Sequence, residues 1–474
     1  MVTTTAPAEG REHWSGRAAF ILAAIGSAVG LGNLWRFPAE AGTNGGGAFV
    51  IFYILCIVLI GLPVLLSEIL IGRHGQDAAP ESVRRVARDS NASERWAVLA
   101  DIGMVAAFLI LSFYCVVGGW VLYYIGQFAG DLFASGPLSG AFAGSTPEAV
   151  QQLMPDLFAN GGTQVAMLAL FLGITVFFVM RGISKGIEFV ATWMMPAFFM
   201  LFLAITVYGL FTGDLGQTID FLFVFEPEKL TGSVMLAAVG QAFFSLSLGS
   251  AMMITYGAYA DKSINLGSTS GIIAAADTSV ALLAGFAIFP IVFAAGLAVN
   301  AGPALMFQSL PTAFMTMPAG TLIGLAFFIM VFFAALTSAV ALLEAPTSWA
   351  ITKFGVGRKK TAATVGVLAF LIGVLAALSF NSLADFQPLG FIPLFEGMGM
   401  FDTLDTLTGK IMLPIAALIT AIFVGWIADR NLLDAENGIS GWLHHSWRFL
   451  VAWLCPIVLV LILLVGIFPG LIGG

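Results

Sequence analysis

Charge is the scarcest commodity in this sequence. Only 10% of its residues are Asp, Glu, Lys or Arg, against about 25% in an ordinary soluble chain. That excludes a soluble globular fold of this length. The 19 basic residues lie scattered in loops and the net charge is −8, so no basic face for nucleic acid exists. Cysteine is nearly absent: Cys56, Cys115 and Cys455 all fall within apolar runs, which fits buried thiols and excludes a disulfide framework. The four histidines (His13, His74, His444, His445) lie at the edges of apolar runs without metal-ligand spacing, which argues against a transition-metal site. With no histidine at membrane depth to act as a base, the chain is not expected to be an enzyme. The stretch up to Glu9 lacks the apolar core of a cleavable signal peptide, so the first apolar run is expected to stay.

What the chain has in abundance is apolar sequence. Hydrophobic residues make up 59% of it, and the mean hydropathy is +0.98. At about 20 apolar residues per crossing the sequence predicts eleven membrane spans. They run over Ala18–Glu40, Gly47–Gly72, Trp96–Phe128, Gln164–Met180, Ile187–Leu210, Val234–Tyr259, Ile272–Val299, Thr321–Ala350, Thr361–Phe380, Leu404–Ile427 and Leu450–Leu471. With the N-terminus in the cytoplasm, the inner side collects Arg11, Arg17, Arg73, Arg84, Arg85, Arg88, Arg95, Arg181, Lys185, Lys262, Lys353, Arg358, Lys359, Lys360, Arg430 and Arg448. Arg36, Lys229 and Lys410 are left over. That asymmetry satisfies the positive-inside rule. It predicts a multi-pass protein of the cell (inner) membrane with its C-terminus outside. Two outer connections, Asn300–Gly320 and Asn381–Asp402, are expected to fold back as short helices.

Two spans are interrupted. The first contains GSAVGLGNLWRFP from Gly26 to Pro38, and the sixth contains GQAFFSLSLG from Gly240 to Gly249. Such glycines serve either close helix packing or a deliberate break, because backbone at membrane depth leaves the helix only where protein or a water-filled cavity satisfies it. A break around Ala28–Gly32 would free carbonyls for a cation and N–H groups for an anion. Because the breaks fall at corresponding places in two five-span halves, the sequence predicts an all-α, five-plus-five inverted-repeat transporter fold with discontinuous first and sixth helices. Its parts are a cytoplasmic segment 1–17, a first repeat 18–210, a second inverted repeat 234–427 and an eleventh helix 450–471.

The stretch REHWSGRAAFILAAIGSAVGLGNLWRFP, with NGGGAF, GLPVLLSEILIGR, LSFYCVVGGW, RGISKGIE, VGQAFFSLSLG, TYGAY, FFAALTSAVALLE and, more weakly, LDTLTGK, resembles the neurotransmitter:sodium symporter family. The eleven expected spans resemble its shorter bacterial amino acid transporters. The resemblance implies sodium-coupled uptake of an amino acid by alternating access, with two sodium ions and no organic cofactor. It implies no partner beyond the substrate and the bilayer. One sodium would be held by the carbonyls of Gly26, Val29 and Ala334 and the hydroxyls of Thr337 and Ser338. The other would be held by the Ala28 carbonyl, Asn33, Ser245, Asp277 and the substrate carboxylate. Such all-oxygen sets suit a hard cation. Taken alone, Thr337 and Ser338 are equally hydroxyls bonded back to their own helix.

By the same resemblance, the substrate carboxylate would meet the N–H groups near Leu31 and Gly32 and the Tyr114 hydroxyl. Its ammonium would lie against broken-helix carbonyls and the Ser247 region. Ile110, Phe244, Ser250 and Leu342 would line the side-chain pocket, although three of them alone would pass for core packing. Relatives that carry decarboxylated amines place aspartate where this chain has Gly30, so glycine implies a substrate bringing its own carboxylate. Ser250 in place of a bulky apolar residue implies a roomier or more polar pocket, and larger hydrophobic or aromatic side chains are expected to be tolerated.

Chloride-dependent relatives have asparagine at the position of Asp277 and serine at that of Ala281, so a fixed carboxylate here implies transport without chloride, although Tyr53, Gln241 and Ser245 still resemble the other chloride contacts. Glu68 would support the broken helices. Arg36 and Asp405 would form an outer gate above Tyr114 and Phe244, though a lone arginine at a span end is also a snorkelling anchor. Arg11, Trp14 and Tyr259 would form an inner gate, with Thr352 standing where some relatives place the acidic partner of Arg11. The alternatives are a carrier of another small zwitterion and, more distantly, a channel.

Overall fold

The computed structural model describes residues 13–299 and 304–468. Every span expected from hydropathy is helical, because lipid offers backbone groups no partners outside the helix itself. The first crossing is a bent pair, α1 (Arg17–Ala28) and α2 (Gly32–Thr43), turned by 47° at the break. Then come α3 (Gly47–Gly75), α4 (Glu94–Ser135), α5 (Gly161–Val179) and α6 (Ile183–Thr212). The sixth crossing is also divided, into α7 (Gly232–Ser245) and α8 (Met252–Ala258). It is followed by α9 (Leu266–Ala294), α10 (Gly320–Phe354), α11 (Arg358–Leu378), α12 (Met400–Ile427) and α13 (Gly441–Ile467). Among the described residues nine helices are long and apolar enough to cross a membrane singly, and the bent pair makes a tenth. Neither half of the divided sixth segment reaches that length alone.

Local sequence sets the boundaries. Side chains of Asn160, Thr231 and Asn265 accept backbone N–H bonds at the starts of α5, α7 and α9, filling positions that helix N-termini otherwise leave unpaired. Gly355, left-handed at φ 63, ends α10. α4 begins and ends beyond its expected limits, and α13 starts nine residues before the expected Leu450 because GWLHHSWRF continues the helix.

The helices form two kinds of layer. α4 and α10 pack along each other through the centre, with 78% and 72% of their most apolar stretches buried, against 28% for α13. The outer helices present Trp193, Phe211, Leu371 and Ile457 outward, an apolar surface far larger than a soluble monomer exposes. Of the two connections expected to fold back, one contains a buried helical stretch from Leu305 to Phe314, and the other has only the single turn Pro393–Phe395. A helix not foreseen, Ala79–Asp89, follows α3.

Candidate functional site

The first break comes about by a change of partners. α1 ends at Ala28, and Val29 turns extended, at ψ 105. The Gly30 N–H, which in a continuous helix would bond the Gly26 carbonyl, donates instead to Asn33 Oδ1 at 3.1 Å. This releases the Gly26 carbonyl, the Asn33 N–H turns to the Gly30 carbonyl (3.2 Å) and so leaves that of Val29, and the Ser338 hydroxyl on α10 stands 3.2 and 3.4 Å from the Gly26 and Val29 carbonyls. Thr337, beside it, donates to the carbonyls of Phe333 (3.1 Å) and Ala334 (3.0 Å). That bond uses the hydroxyl's proton and leaves its oxygen lone pairs available. The five groups expected to hold one sodium ion therefore lie along one seam between α1 and α10.

The second set meets around Asn33. Its Nδ2 donates to Ser245 Oγ (2.9 Å), Asp277 O (3.1 Å) and Asp277 Oδ1 (2.8 Å). Ser245 Oγ in turn donates to Asp277 Oδ2 at 2.6 Å, and Tyr53 donates to Ser245 Oγ at 3.3 Å. Asn33, Ser245 and Asp277 are fully buried. One asparagine thus ties the first break to the last residue of α7 and to α9. Gln241 Nε2 adds a bond to the Gly32 carbonyl at 2.8 Å. Ser245 Oγ and the Asp277 carboxylate are oxygen donors of the kind that would suit an alkali cation, whereas Asn33 turns its Nδ2 into the cluster and its Oδ1 to the Gly30 N–H.

The sixth break is held by backbone conformation. Ser247, Gly249 and Ala251 are left-handed at φ 54, 76 and 59, a sequence of turns no helix contains. Only glycine fits at 249, where a Cβ would run into the Leu413 carbonyl. Its N–H donates to Glu68 Oε1 at 2.7 Å, so the α3 carboxylate anchors the break.

Between the two breaks lies a cavity. Ala28, Gly30, Leu31, Gly32, Ile110, Tyr114, Phe244, Ser247, Ser250, Ser338 and Leu342 all line it. Ser245, expected among the ligands of the second ion, lies behind the wall. Ser27, Met252 and Leu413 also line it, and the sequence offered no signal that set them apart from the rest of their spans. The Leu31 N–H reaches the Tyr114 hydroxyl at 3.3 Å. At Gly30 an added Cβ would stand 2.5 Å from Ser338 Oγ and 2.9 Å from the Tyr114 hydroxyl, so the glycine lets both groups approach the break closely. Ser250 turns its hydroxyl onto the Ser247 carbonyl at 2.5 Å, and this satisfies its polarity within the break.

On the α2 side a larger cavity opens above Tyr114 and Phe244, with Arg36, Asp402, Asp405 and Lys410 on its walls. Arg36 and Asp405, expected to form an outer gate, both line this cavity without an ion pair between them. Arg36 Nε lies 3.7 Å from Glu40 one turn along α2, and its guanidinium rests 4.4 Å over the Phe244 ring. The i,i+4 neighbour is reachable without crossing the cavity.

On the opposite face, beside a cavity lined by Tyr259, Ile351 and Arg358, side chains tie the elements together. Trp14 Nε1 donates to the Tyr256 carbonyl (3.1 Å) and its backbone N–H to the Tyr259 carbonyl (3.3 Å). The Tyr259 hydroxyl donates to Glu344 Oε1 (2.7 Å) and reaches Ser348 (3.2 Å), and Arg358 holds the same carboxylate at 2.6 and 3.1 Å. Arg11 lies outside the described residues. Thr352 bonds Asp77 Oδ1 at 3.2 Å. The carboxylate at the centre of this face is Glu344, which the sequence shows only as the last letter of an apolar motif.

The sequence profile of the Sodium:neurotransmitter symporter family matches residues 11–132 and 148–469. A sodium-dependent transporter of Bacillus subtilis is 36% identical over 460 residues, covering 95% of this chain and 97% of its own length. The human sodium- and chloride-dependent taurine transporter is 24% identical over 497 residues, 94% of this chain and 77% of that protein. Among solved structures, the crystal structure of the bacterial transporter MhsT in complex with L-phenylalanine superposes with a TM-score of 0.87 at 37% identity, covering 96% of this chain and all (100%) of that one. With its interrupted first and sixth helices and these matches over nearly its whole length, the chain belongs to the sodium:neurotransmitter symporter family and is a sodium-dependent transporter.

Proposed function

We propose that the protein is a sodium-coupled symporter that takes up a hydrophobic or aromatic L-amino acid by alternating access, without chloride. The observation that carries this reading is the buried Asn33–Ser245–Asp277 cluster, which joins both breaks beside the Leu31 N–H and the Tyr114 hydroxyl. Gly26, Val29, Ala334, Thr337 and Ser338 would hold one sodium ion. The Ala28 carbonyl, Asn33, Ser245 and Asp277 would hold the second, whose coordination the substrate carboxylate completes. Ion and substrate then share a shell, and each raises the other's affinity by the same factor. Gly30, with no side chain, lets Ser338 and Tyr114 close on the first break, where they would serve the ion and the substrate carboxylate.

Asp277 supports independence from chloride. Its Oδ2 sits 2.6 Å from Ser245 Oγ, one of the groups that resemble a chloride shell, so the negative charge is already in place. The relative bound to L-phenylalanine supports an aromatic or large apolar substrate, and the uncharged walls formed by Ile110, Phe244 and Leu342 agree.

The face carrying Trp14 and Arg358 is the cytoplasmic one in this reading, and the arrangement described is outward-facing: Trp14, Tyr259 and Glu344 close the inside while Arg36 and Asp405 stand apart outside. Counting the divided sixth segment as one crossing gives eleven. They form two five-helix halves, 18–210 and 234–427, and a final helix, in the inner membrane. Closing the Arg36–Asp405 gate and releasing the inner one would deliver the amino acid.

Uptake of labelled L-phenylalanine, L-leucine and taurine into proteoliposomes tests this reading, with sodium or potassium outside and chloride or gluconate as anion. Accumulation of the amino acids against their gradient only with sodium, in either anion, is the expected result. Preference for taurine would replace the substrate assignment, and equilibration without accumulation would indicate a channel.

A further inference from the structure

The cytoplasmic face contains a cluster that the transport site does not use. Residues 434–439, between α12 and α13, run across the inner ends of several elements. Gly267 N–H donates to the Asn437 carbonyl (2.8 Å), and Asn265 Nδ2 to the Gly438 carbonyl (2.9 Å). From the end of α3, Arg73 Nε meets Glu436 Oε2 at 3.1 Å, its Nη2 reaches the Glu436 carbonyl, and its Nη1 bonds the Ile264 carbonyl at 2.5 Å. The next residue, His74, has Nδ1 3.0 Å from Glu436 Oε1 and Nε2 2.8 Å from Asp89 Oδ2 on the 79–89 helix.

Both ring nitrogens of His74 face carboxylate oxygens, which when ionised only accept hydrogen bonds. Both contacts are satisfied only if both nitrogens carry a proton, which makes the ring an imidazolium. Once neutral, it turns a lone pair toward one carboxylate, and one bond becomes a repulsion. The charged groups facing the ring are Glu436 and Asp89. Arg73 stands beside it on α3, with Asp261 acting on Arg73 from the α8–α9 connection. Arg85 on the 79–89 helix is turned to the Gly75 carbonyl at 3.3 Å. Burial alone would raise the Glu436 carboxyl, but the hydrogen bond from His74 and the charge of Arg73 outweigh it and hold it below its ordinary value. Glu436 therefore stays ionised while an imidazole titrates.

We propose that His74 is a proton-operated latch: charged, it pins the inner end of α3 to both the 434–439 crossing and the 79–89 helix and holds the cytoplasmic face closed. Neutral, it lets that face open. The proposal rests on the reading above that this face opens during transport. Acidification of the cytoplasm then slows inward opening, and alkalinisation speeds it, over the range of about pH 6 to 8 where histidine charge responds to its surroundings.

The test uses full-length protein in liposomes with one introduced thiol, Ile351→Cys, on the wall of the inner cavity. The three native cysteines are buried. Labelling by an impermeant maleimide from the cytoplasmic side is followed against pH in three backgrounds: native His74, His74→Arg and His74→Gln. Arginine keeps charge and several donors at every pH, so its profile records the reagent's own dependence. Relative to it, the native protein is expected to gain roughly tenfold in labelling rate from pH 6 to 8, the scale of one charged hydrogen bond. His74→Gln is expected to be fast throughout. A pH response surviving in His74→Gln, or a native profile parallel to that of His74→Arg, overturns the proposal. Asp89→Asn, which breaks one of the two contacts, is expected to flatten the response as well, and this variant decides the matter should His74→Arg fail to fold. Labelling requires no transported substrate, so failure of the amino acid uptake assay and failure of the latch are separately visible.

Discussion

Replacing Gly30 by alanine puts the geometry of the central cavity to its sharpest test. Gly30 is not among the glycines held at positive φ, so alanine can adopt its backbone, and the N–H bond to Asn33 Oδ1 is untouched. The added methyl has nowhere to go: its carbon would lie 2.5 Å from Ser338 Oγ and 2.9 Å from the Tyr114 hydroxyl. One of these would serve sodium and the other the substrate carboxylate, and both must retreat by about half an ångström or more to reach ordinary contact. Overpacking of this kind costs about 1–3 kcal/mol, which corresponds to a loss of about 5- to 150-fold in affinity. Because the strain is relieved by moving both groups off their positions, the loss is expected in the apparent affinity for sodium as well as for the amino acid. The assay is equilibrium binding of labelled L-phenylalanine to purified protein over a sodium titration, with the sodium-free melting temperature as a control for folding. Native affinity for both in Gly30→Ala would refute the close approach of α1, α4 and α10 and the roles assigned to Ser338 and Tyr114. Gly30→Asp extends the test: a carboxylate there is expected to abolish amino acid binding and to favour the corresponding decarboxylated amine.

Asp277→Asn is expected to make uptake depend on chloride, seen as a fall when gluconate replaces chloride in variant liposomes but not in native ones; equal rates in both anions would remove Asp277 from the role of internal anion. Glu40→Gln frees Arg36 from its 3.7 Å partner and leaves Asp405 as the available acid. Substrate release to the outside is then expected to slow by up to about fivefold, the upper range for an exposed ion pair, measured by dilution of bound label. Glu344→Gln weakens both the Tyr259 and Arg358 contacts. It is expected to raise cysteine labelling at Ile351→Cys and to lower outward-facing sodium-dependent binding, while unchanged labelling would show that Glu344 does not hold the inner face.

Much of this arrangement is written locally. Three glycines and an asparagine within one apolar run mark the first break, and the backbone must leave the helix near them. The sixth break announces itself through Ser245, Ser247 and Gly249. What sequence cannot carry is choice among partners. Arg36 has two acids on offer, Glu40 on its own helix and Asp405 across the cavity, and only the folded chain shows that it takes Glu40. Glu344 passes unnoticed because a single acid at the end of an apolar helix looks like a boundary until Arg358 and Tyr259 are folded onto it. The turns at Gly32–Arg36 and Leu407–Met412, where hydrogen bonds skip to the fifth residue, also escape periodicity, since they arise from packing against neighbours and not from composition.

The length of α4 has a mechanical consequence. Its 42 residues extend about 63 Å at 1.5 Å per residue, roughly twice the hydrocarbon thickness, so however it tilts it projects into water. Side by side with α10 it forms a long, deeply buried strut through the centre of the bundle. Against this strut the short pieces α1, α2, α7 and α8 are the lighter bodies. In the proposed alternating access, rotation between them and the strut would move the pieces, and Tyr114, carried on the strut, would be the fixed point against which their swing is measured.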